Sequence, residues 1–288
     1  MTRHIIGRFL TMPLAAAALL LLSSCVTEVD ASETRAQFAA VTEAPGPAPA
    51  VDEYSVAAHP EPFVEPVDCL PHLVITNRGS GEPTKGQLLS PVVRAISQSR
   101  PDQVFHIDND YPADDDIQAG ASAGVRLLID TLNVQAENCP EQRFVVLGYS
   151  QGSLVAGDAL AAPADRLGGA HAGELSPDAA DRILSIVLYA NPRFVGAEPF
   201  GVGTFDPELD GVLPRPLGSL STFAERIRDY CEAGDFVCQS STSLDPEQHL
   251  AYFSNGAQLD GAAFVITTLD PIDEPAAELS DAALENAR

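Results

Sequence analysis

Gly148-Tyr149-Ser150-Gln151-Gly152 follows directly on the apolar run Phe144 to Leu147 and opens a helical pattern, Ser150 to Ala162, in which Val155, Ala156 and Leu160 keep one face. A serine between two glycines, with a strand before it and a helix after it, is the pattern of a nucleophile elbow. The turn is sharp, and side chains at the flanking positions would collide with the neighbouring strand and helix. The hydroxyl is thereby held above a sheet, beside a helix N-terminus that favours developing negative charge. In a plain loop the same five residues would carry no such meaning.

A serine hydroxyl needs a base to take its proton, and the base needs an orienting carboxylate. Where such an elbow sits on a parallel sheet, the three follow the chain order serine, acid, histidine. Two histidines lie downstream of Ser150. His171 falls in a Gly- and Ala-rich stretch and is expected to be a solvated loop residue, whereas His249 falls in the last loop, where the base is expected. For the acid, Asp235 lies between Cys231 and Cys238, just past a strand, where a small disulfide loop would hold a carboxylate still. Asp206, Asp210, Asp229 and Asp245 compete with it, and a turn aspartate capping its own backbone is the plain alternative.

The elements that must position these residues are short β-branched runs at Leu73 to Thr76, Val104 to Ile107, Phe144 to Leu147, Ser185 to Tyr189 and Ile227 to Cys231. Helical patterns at Gly86 to Ser99, Asp114 to Asn138 and Ser150 to Ala162 separate the first four, and Asp114-Asp115-Asp116 supplies capping carboxylates for the second helix. This alternation predicts an α/β fold, a central parallel five-stranded sheet with helices on both faces and ligands at the carboxyl ends of its strands.

Around that domain the ends read differently. Arg3 and Arg8 precede an apolar run, Phe9 to Leu22, too short to span a bilayer comfortably, which predicts a cleaved export signal over residues 1–24. Leu22-Ser23-Ser24-Cys25 resembles the bacterial lipoprotein signal, so Cys25 is expected to carry a lipid anchor; an ordinary secretory signal cut a few residues later is the alternative. Residues 25–66, rich in Pro and Ala without a period, are expected to be a solvated linker. One domain is expected over 67–270, and an acidic tail over 271–288.

With 41 acidic against 16 basic residues and a formal charge of −25, the chain is a poor partner for nucleic acid and would be repelled by an anionic membrane surface. Membrane contact is therefore expected only through Cys25, for a protein outside the cell, anchored to the membrane or envelope or else secreted, and acting as a monomer. Cys69, Cys139, Cys231 and Cys238 form an even set after an export signal and read as two disulfides. Three pairings are possible; Cys69 with Cys139 and Cys231 with Cys238 is the preferred one. No cysteine spacing suits zinc, and Asp206 to Leu217 lacks the twelfth-position glutamate of a calcium loop, so neither metal nor cofactor is expected.

Taken together, Arg78-Gly79-Ser80 after the first strand, the Gly-Tyr-Ser-Gln-Gly elbow, Gly234-Asp235 inside a cysteine pair, and His249-Leu250 followed by Tyr252 resemble the cutinase family, over nearly the whole of Val67 to Asp270. The resemblance implies a small lidless α/β-hydrolase with triad Ser150, Asp235 and His249 and with the disulfides paired as above. It also implies an oxyanion hole made of the Ser80 and Gln151 backbone N–H groups, to which the Ser80 hydroxyl adds a third bond. For Gln151 the physics agrees, since the residue after the nucleophile presents its N–H at the helix start. Gln239 to Gln248, part of the expected rim, has Leu244 as its only large apolar residue. Polymer-degrading cutinases resemble one another in a more apolar rim, so short to medium acyl esters are the expected substrates. Acyl transfer or phospholipid deacylation on the envelope is the enzymatic alternative, and a catalytically silent surface binding protein the non-enzymatic one.

Overall fold

The computed structural model describes residues 53–84, 87–114, 116–240 and 246–269. In chain order the main elements are β1 His72–Asn77, α1 Ser90–Ser99, β2 Val104–Asp108, α2 Ile117–Asn138, β3 Arg143–Tyr149 and α3 Gln151–Leu160. They continue as α4 Pro177–Asp181, β4 Ile183–Tyr189, β5 Gly201–Val202, β6 Ile227–Tyr230, α5 Pro246–His249 and α6 Ala257–Thr268. All strand pairs are parallel, in the order β2-β1-β3-β4-β6-β5.

The sheet therefore has six strands, not the expected five. The extra strand, β5, is only Gly201 and Val202, paired with Asp229 and Tyr230 at the sheet edge. Two residues carry no hydrophobic period. Their place is set by packing instead, for a Cβ on Gly201 would stand 2.7 Å from the Phe205 ring.

Strand alternation divides the core into two layers. Val74, Val145, Leu147 and Val187 face Val92 and Ile96 of α1 and Ala262 and Val265 of α6. Leu73, Ile75, Phe144 and Val146 face Leu128 and Leu132 of α2 and Leu154 and Val155 of α3. The first turn of α2 is capped by Asp116, whose carboxylate accepts the Ala119 N–H at 3.0 Å. Cys69 is bonded to Cys139 and Cys231 to Cys238, seven residues apart.

The expected linker departs from its composition near its end, because residues 53–66 are laid against α2. Arg126, 1% exposed, donates through Nη2 to the Glu61 and His59 carbonyls at 2.9 Å each and through Nε to Asp130 at 2.7 Å. Asp130 in turn accepts the Phe63 N–H at 2.9 Å, Gln135 accepts the Val67 N–H at 2.8 Å, and the Arg126 guanidinium lies over the Phe63 ring. A proline-rich segment with little apolar area is held here by charge-assisted hydrogen bonds to its backbone.

Candidate active site

β3 ends at Tyr149 and α3 begins at Gln151, leaving Ser150 alone to make the turn at φ 53° and ψ −119°. The flanking glycines are needed for space. A Cβ on Gly152 would stand 1.9 Å from the Asn77 carbonyl oxygen, and one on Gly148 would stand 2.7 Å from that of Gly152. The Ser150 N–H donates to the Tyr189 carbonyl at 2.9 Å, tying the elbow to β4.

His249, at the end of α5, has Nε2 3.1 Å from Ser150 Oγ and Nδ1 3.0 Å from Asp235 Oδ1. All three side chains are buried. The sequence-predicted serine, histidine and aspartate thus meet in one hydrogen-bonded row, although 99 residues separate the first two. The competing residues do not join them. His171 is exposed and uses its backbone carbonyl to hold Val56. Asp206 and Asp210 hold the Glu208 and Gly196 N–H groups, and Asp229 pairs with Asn191 and Arg215. Asp245, Leu244 and Cys25 lie outside the described residues.

Three partners of this row were not assigned from sequence. Tyr252 donates its hydroxyl to Asp235 Oδ2 at 2.8 Å while accepting the Glu232 N–H at 3.0 Å. Burial, reinforced by the Asp235 charge, pushes the Tyr252 phenol well above its ordinary range, so it keeps its proton and can only donate to the carboxylate. Asp235 Oδ1 also accepts the Val237 N–H at 2.9 Å. Tyr149 stacks against the His249 ring, with centroids 5.4 Å apart, and donates to the His249 carbonyl at 3.0 Å. Glu82, buried beside the first-strand turn, accepts the Gly79 and Leu88 N–H groups at 2.7 and 2.8 Å, so one carboxylate fastens both ends of the loop that carries Ser80. Burial pushes the Glu82 carboxyl up, and those two N–H groups, with the nearby His249 and Arg78, oppose the shift. Tyr252 was visible in the sequence only as a tyrosine three residues after the base; nothing local marked its partner.

Ser80 and Gln151 stand together across the elbow. Neither backbone N–H has an acceptor among the described residues, which leaves both available to an incoming oxyanion. The Ser80 hydroxyl donates to Gln151 Oε1 at 2.7 Å. Among the described residues no group of three or more His, Cys, Asp or Glu is placed to hold a metal ion.

The cutinase family model matches residues 68–269, which takes in every element from β1 to α6. The chain belongs to the cutinase family. It is 31% identical over 193 residues to a cutinase of Kineococcus radiotolerans, covering 66% of this chain and 59% of that protein. It is 30% identical over 137 residues to an acetylxylan esterase of Hypocrea jecorina, covering 45% of this chain and 42% of that one. The chain thus spans less than two thirds of the length of either relative. Among solved structures, the catalytic core domain of acetyl xylan esterase from Trichoderma reesei superposes with a TM-score of 0.61 at 24% identity, over 70% of this chain and 100% of that domain, a likeness of fold. The α/β-hydrolase sheet flanked by helices is therefore the cutinase architecture.

Proposed function

We propose that this cutinase-family chain is a serine esterase hydrolysing short to medium acyl carboxylic esters, with Ser150 as nucleophile, His249 as general base and acid, and Asp235 as the orienting carboxylate. The observation that carries the reading is the unbroken row from Ser150 Oγ through both nitrogens of His249 to Asp235, at 3.1 and 3.0 Å. Ser150 Oγ attacks the ester carbonyl carbon while its proton passes to His249 Nε2. Negative charge gathers on the carbonyl oxygen, where the Ser80 and Gln151 N–H groups receive it. The carbon–oxygen bond to the alcohol then breaks, and His249 returns its proton to the leaving oxygen. Water attacks the acyl-enzyme by the same steps, giving up a proton to His249 and restoring Ser150. Asp235 accepts from Nδ1 throughout and offsets the imidazolium charge.

The active form is read as a monomer outside the cell, with the catalytic domain over about 67–270. Two disulfides suit an oxidising compartment. Export through residues 1–24 and lipidation of Cys25 belong to this proposal and rest on the sequence alone. Release of the protein from membranes by Cys25→Ala would support the anchor, and unchanged fractionation would remove it.

A fluorophosphonate probe tests the core of the reading. It labels the wild-type protein and leaves Ser150→Ala unlabelled; folded, oxidised wild-type protein that takes no label would favour a silent binding scaffold. A chain-length series of p-nitrophenyl esters tests the substrate class. Equal turnover on insoluble polyester and on soluble butyrate esters would overturn that part. Product analysis with an added lipid alcohol separates hydrolysis from acyl transfer.

A further inference from the structure

Apolar side chains from three separate segments meet beside the row of Ser150, His249 and Asp235. Ile117 opens α2, Phe236 and Val237 follow Asp235, and Val212 and Leu213 come from the connection between β5 and β6. The cluster borders that row at both ends. The Ile117 carbonyl accepts from Gln151 Nε2 at 3.4 Å, and the Phe236 ring lies against the His249 ring with centroids 5.6 Å apart. Ile117, Phe236 and Val237 are buried, whereas Val212 and Leu213 are half-buried and keep part of their apolar surface open. The segment that carries them is pinned although it is neither helix nor strand. The N–H groups of Gly211, Val212 and Leu213 donate in succession to the carbonyls of Phe194, Val237 and Pro192 at 3.0, 3.0 and 2.8 Å. A Cβ on Gly211 would stand 2.4 Å from the Pro192 carbonyl oxygen, and just beyond, Arg215 is buried against Asp229 at 3.7 Å. Val212 is thereby fixed to Val237, whose own N–H holds Asp235 Oδ1 at 2.9 Å. A surface held this way has little freedom left to lose when an apolar chain is laid on it.

We propose that the segment Val212-Leu213 forms the wall along which the acyl chain of the ester lies, and that Val212 is the specificity-determining residue for chain length. The course of the reaction says which arm of the ester belongs there. The alcohol must leave and water must take its place, so its side has to stay open. The acyl chain remains bonded to Ser150 through both half-reactions and gains from a fixed apolar surface in each. The stretch Gln239 to Gln248, with one large apolar residue in its sequence, offers no comparable surface. The inference rests on the esterase reading of the site and adds the residue that sorts its substrates.

The ratio of kcat/KM on p-nitrophenyl hexanoate to that on p-nitrophenyl acetate tests it. Val212→Thr keeps the shape and adds a polar group, and Val212→Ala removes the apolar contact; each is expected to lower the ratio by about fivefold, less than a fully enclosed pocket gives because the wall is half open. Leu259→Ala, at a 71% exposed leucine on α6, is the control for surface hydrophobicity at large and is expected to leave the ratio unchanged. A ratio within about twofold of wild type in both Val212 variants overturns the proposal. An equal fall in the Leu259 variant overturns it too. A second series holds the acyl group as acetate and lengthens the alcohol from methyl to hexyl. The Val212 variants should follow wild type along it, and a shift there with none in the acyl series would give the wall to the alcohol and overturn the proposal. Fluorophosphonate labelling of wild type keeps the two failures apart: without it the esterase reading falls, whereas labelled protein with an unchanged ratio removes only the wall.

Discussion

Tyr252→Phe removes one oxygen and leaves the ring in place, so its effect reads the hydrogen bonds alone. In the structure that oxygen donates to Asp235 Oδ2 at 2.8 Å and accepts the Glu232 N–H at 3.0 Å. The first is a bond to a fully buried carboxylate, of the kind whose loss costs about 1.5–3 kcal/mol. Glu232 is only partly buried, so water can replace the second partner and little is added. A loss of about 2 kcal/mol should lower the melting temperature by about 4–8 °C for a domain of this size. The carboxylate would keep the Val237 N–H and His249 but lose the donor that fixes its second oxygen. With the imidazole less firmly oriented, kcat is expected to fall by about tenfold while KM stays within about twofold. Thermal melts and steady-state kinetics on a soluble acetate ester measure both. An unchanged kcat with a lowered melting temperature would show that the hydroxyl only stabilises the fold, and no change in either would refute the reasoning.

Gly152→Ala sets a Cβ 1.9 Å from the Asn77 carbonyl oxygen, a backbone atom that cannot swing aside, so a loss of at least about 3 kcal/mol and poor soluble yield are expected; a wild-type melting temperature would contradict this. Replacing Cys231 and Cys238 together with serine opens a loop of seven residues' separation and should cost about 2.5 kcal/mol by loop entropy, with activity at 20 °C falling further than the unfolded fraction explains, since Asp235 lies inside the loop. Burial pushes Asp229 up to about 6, against the pull of Arg215 and Asn191. The folded state therefore holds this proton more tightly than the unfolded chain, and the group favours folding below about pH 4, a contribution lost as pH rises through about 6. Asp229→Asn abolishes that dependence, so the wild-type melting temperature should decline relative to the variant's between pH 4 and pH 7; a constant difference would remove Asp229 as its source.

The five longer strands and the α1, α2 and α3 helices were legible because their residues repeat at periods that burial on one or two faces imposes. Ser150 was legible for a stronger reason: Gly148 and Gly152 are dictated by contacts under 3 Å, and such contacts leave a mark on the sequence itself. Asp235 and His249 could be chosen by chain order and by the cysteines around the acid. The helix α6 was not predicted. Its Val265, Ile266, Thr267 and Thr268 read equally well as strand, and Gly261 weakens the helical pattern. In the structure Gly261 lets the helix approach the Tyr189 hydroxyl, where a Cβ would stand 2.0 Å away. β5 is too short to have a period. Tyr252 and Glu82 are ordinary residue types, and their roles exist only where the fold brings their oxygens to Asp235 and to the Gly79 turn.

The segment laid on α2 separates two boundaries that are easily taken as one. Family likeness begins at residue 68, but the packed structure takes in residues before it, because Arg126 is solvated by the His59 and Glu61 carbonyls. A chain trimmed to residues 68–269 would bury a guanidinium whose backbone acceptors had been cut away, and Asp130 would lose the Phe63 N–H that balances it. Homology alone would thus place the scissors inside the folding unit. Arg126 holds those upstream residues through their peptide groups and the Phe63 ring together.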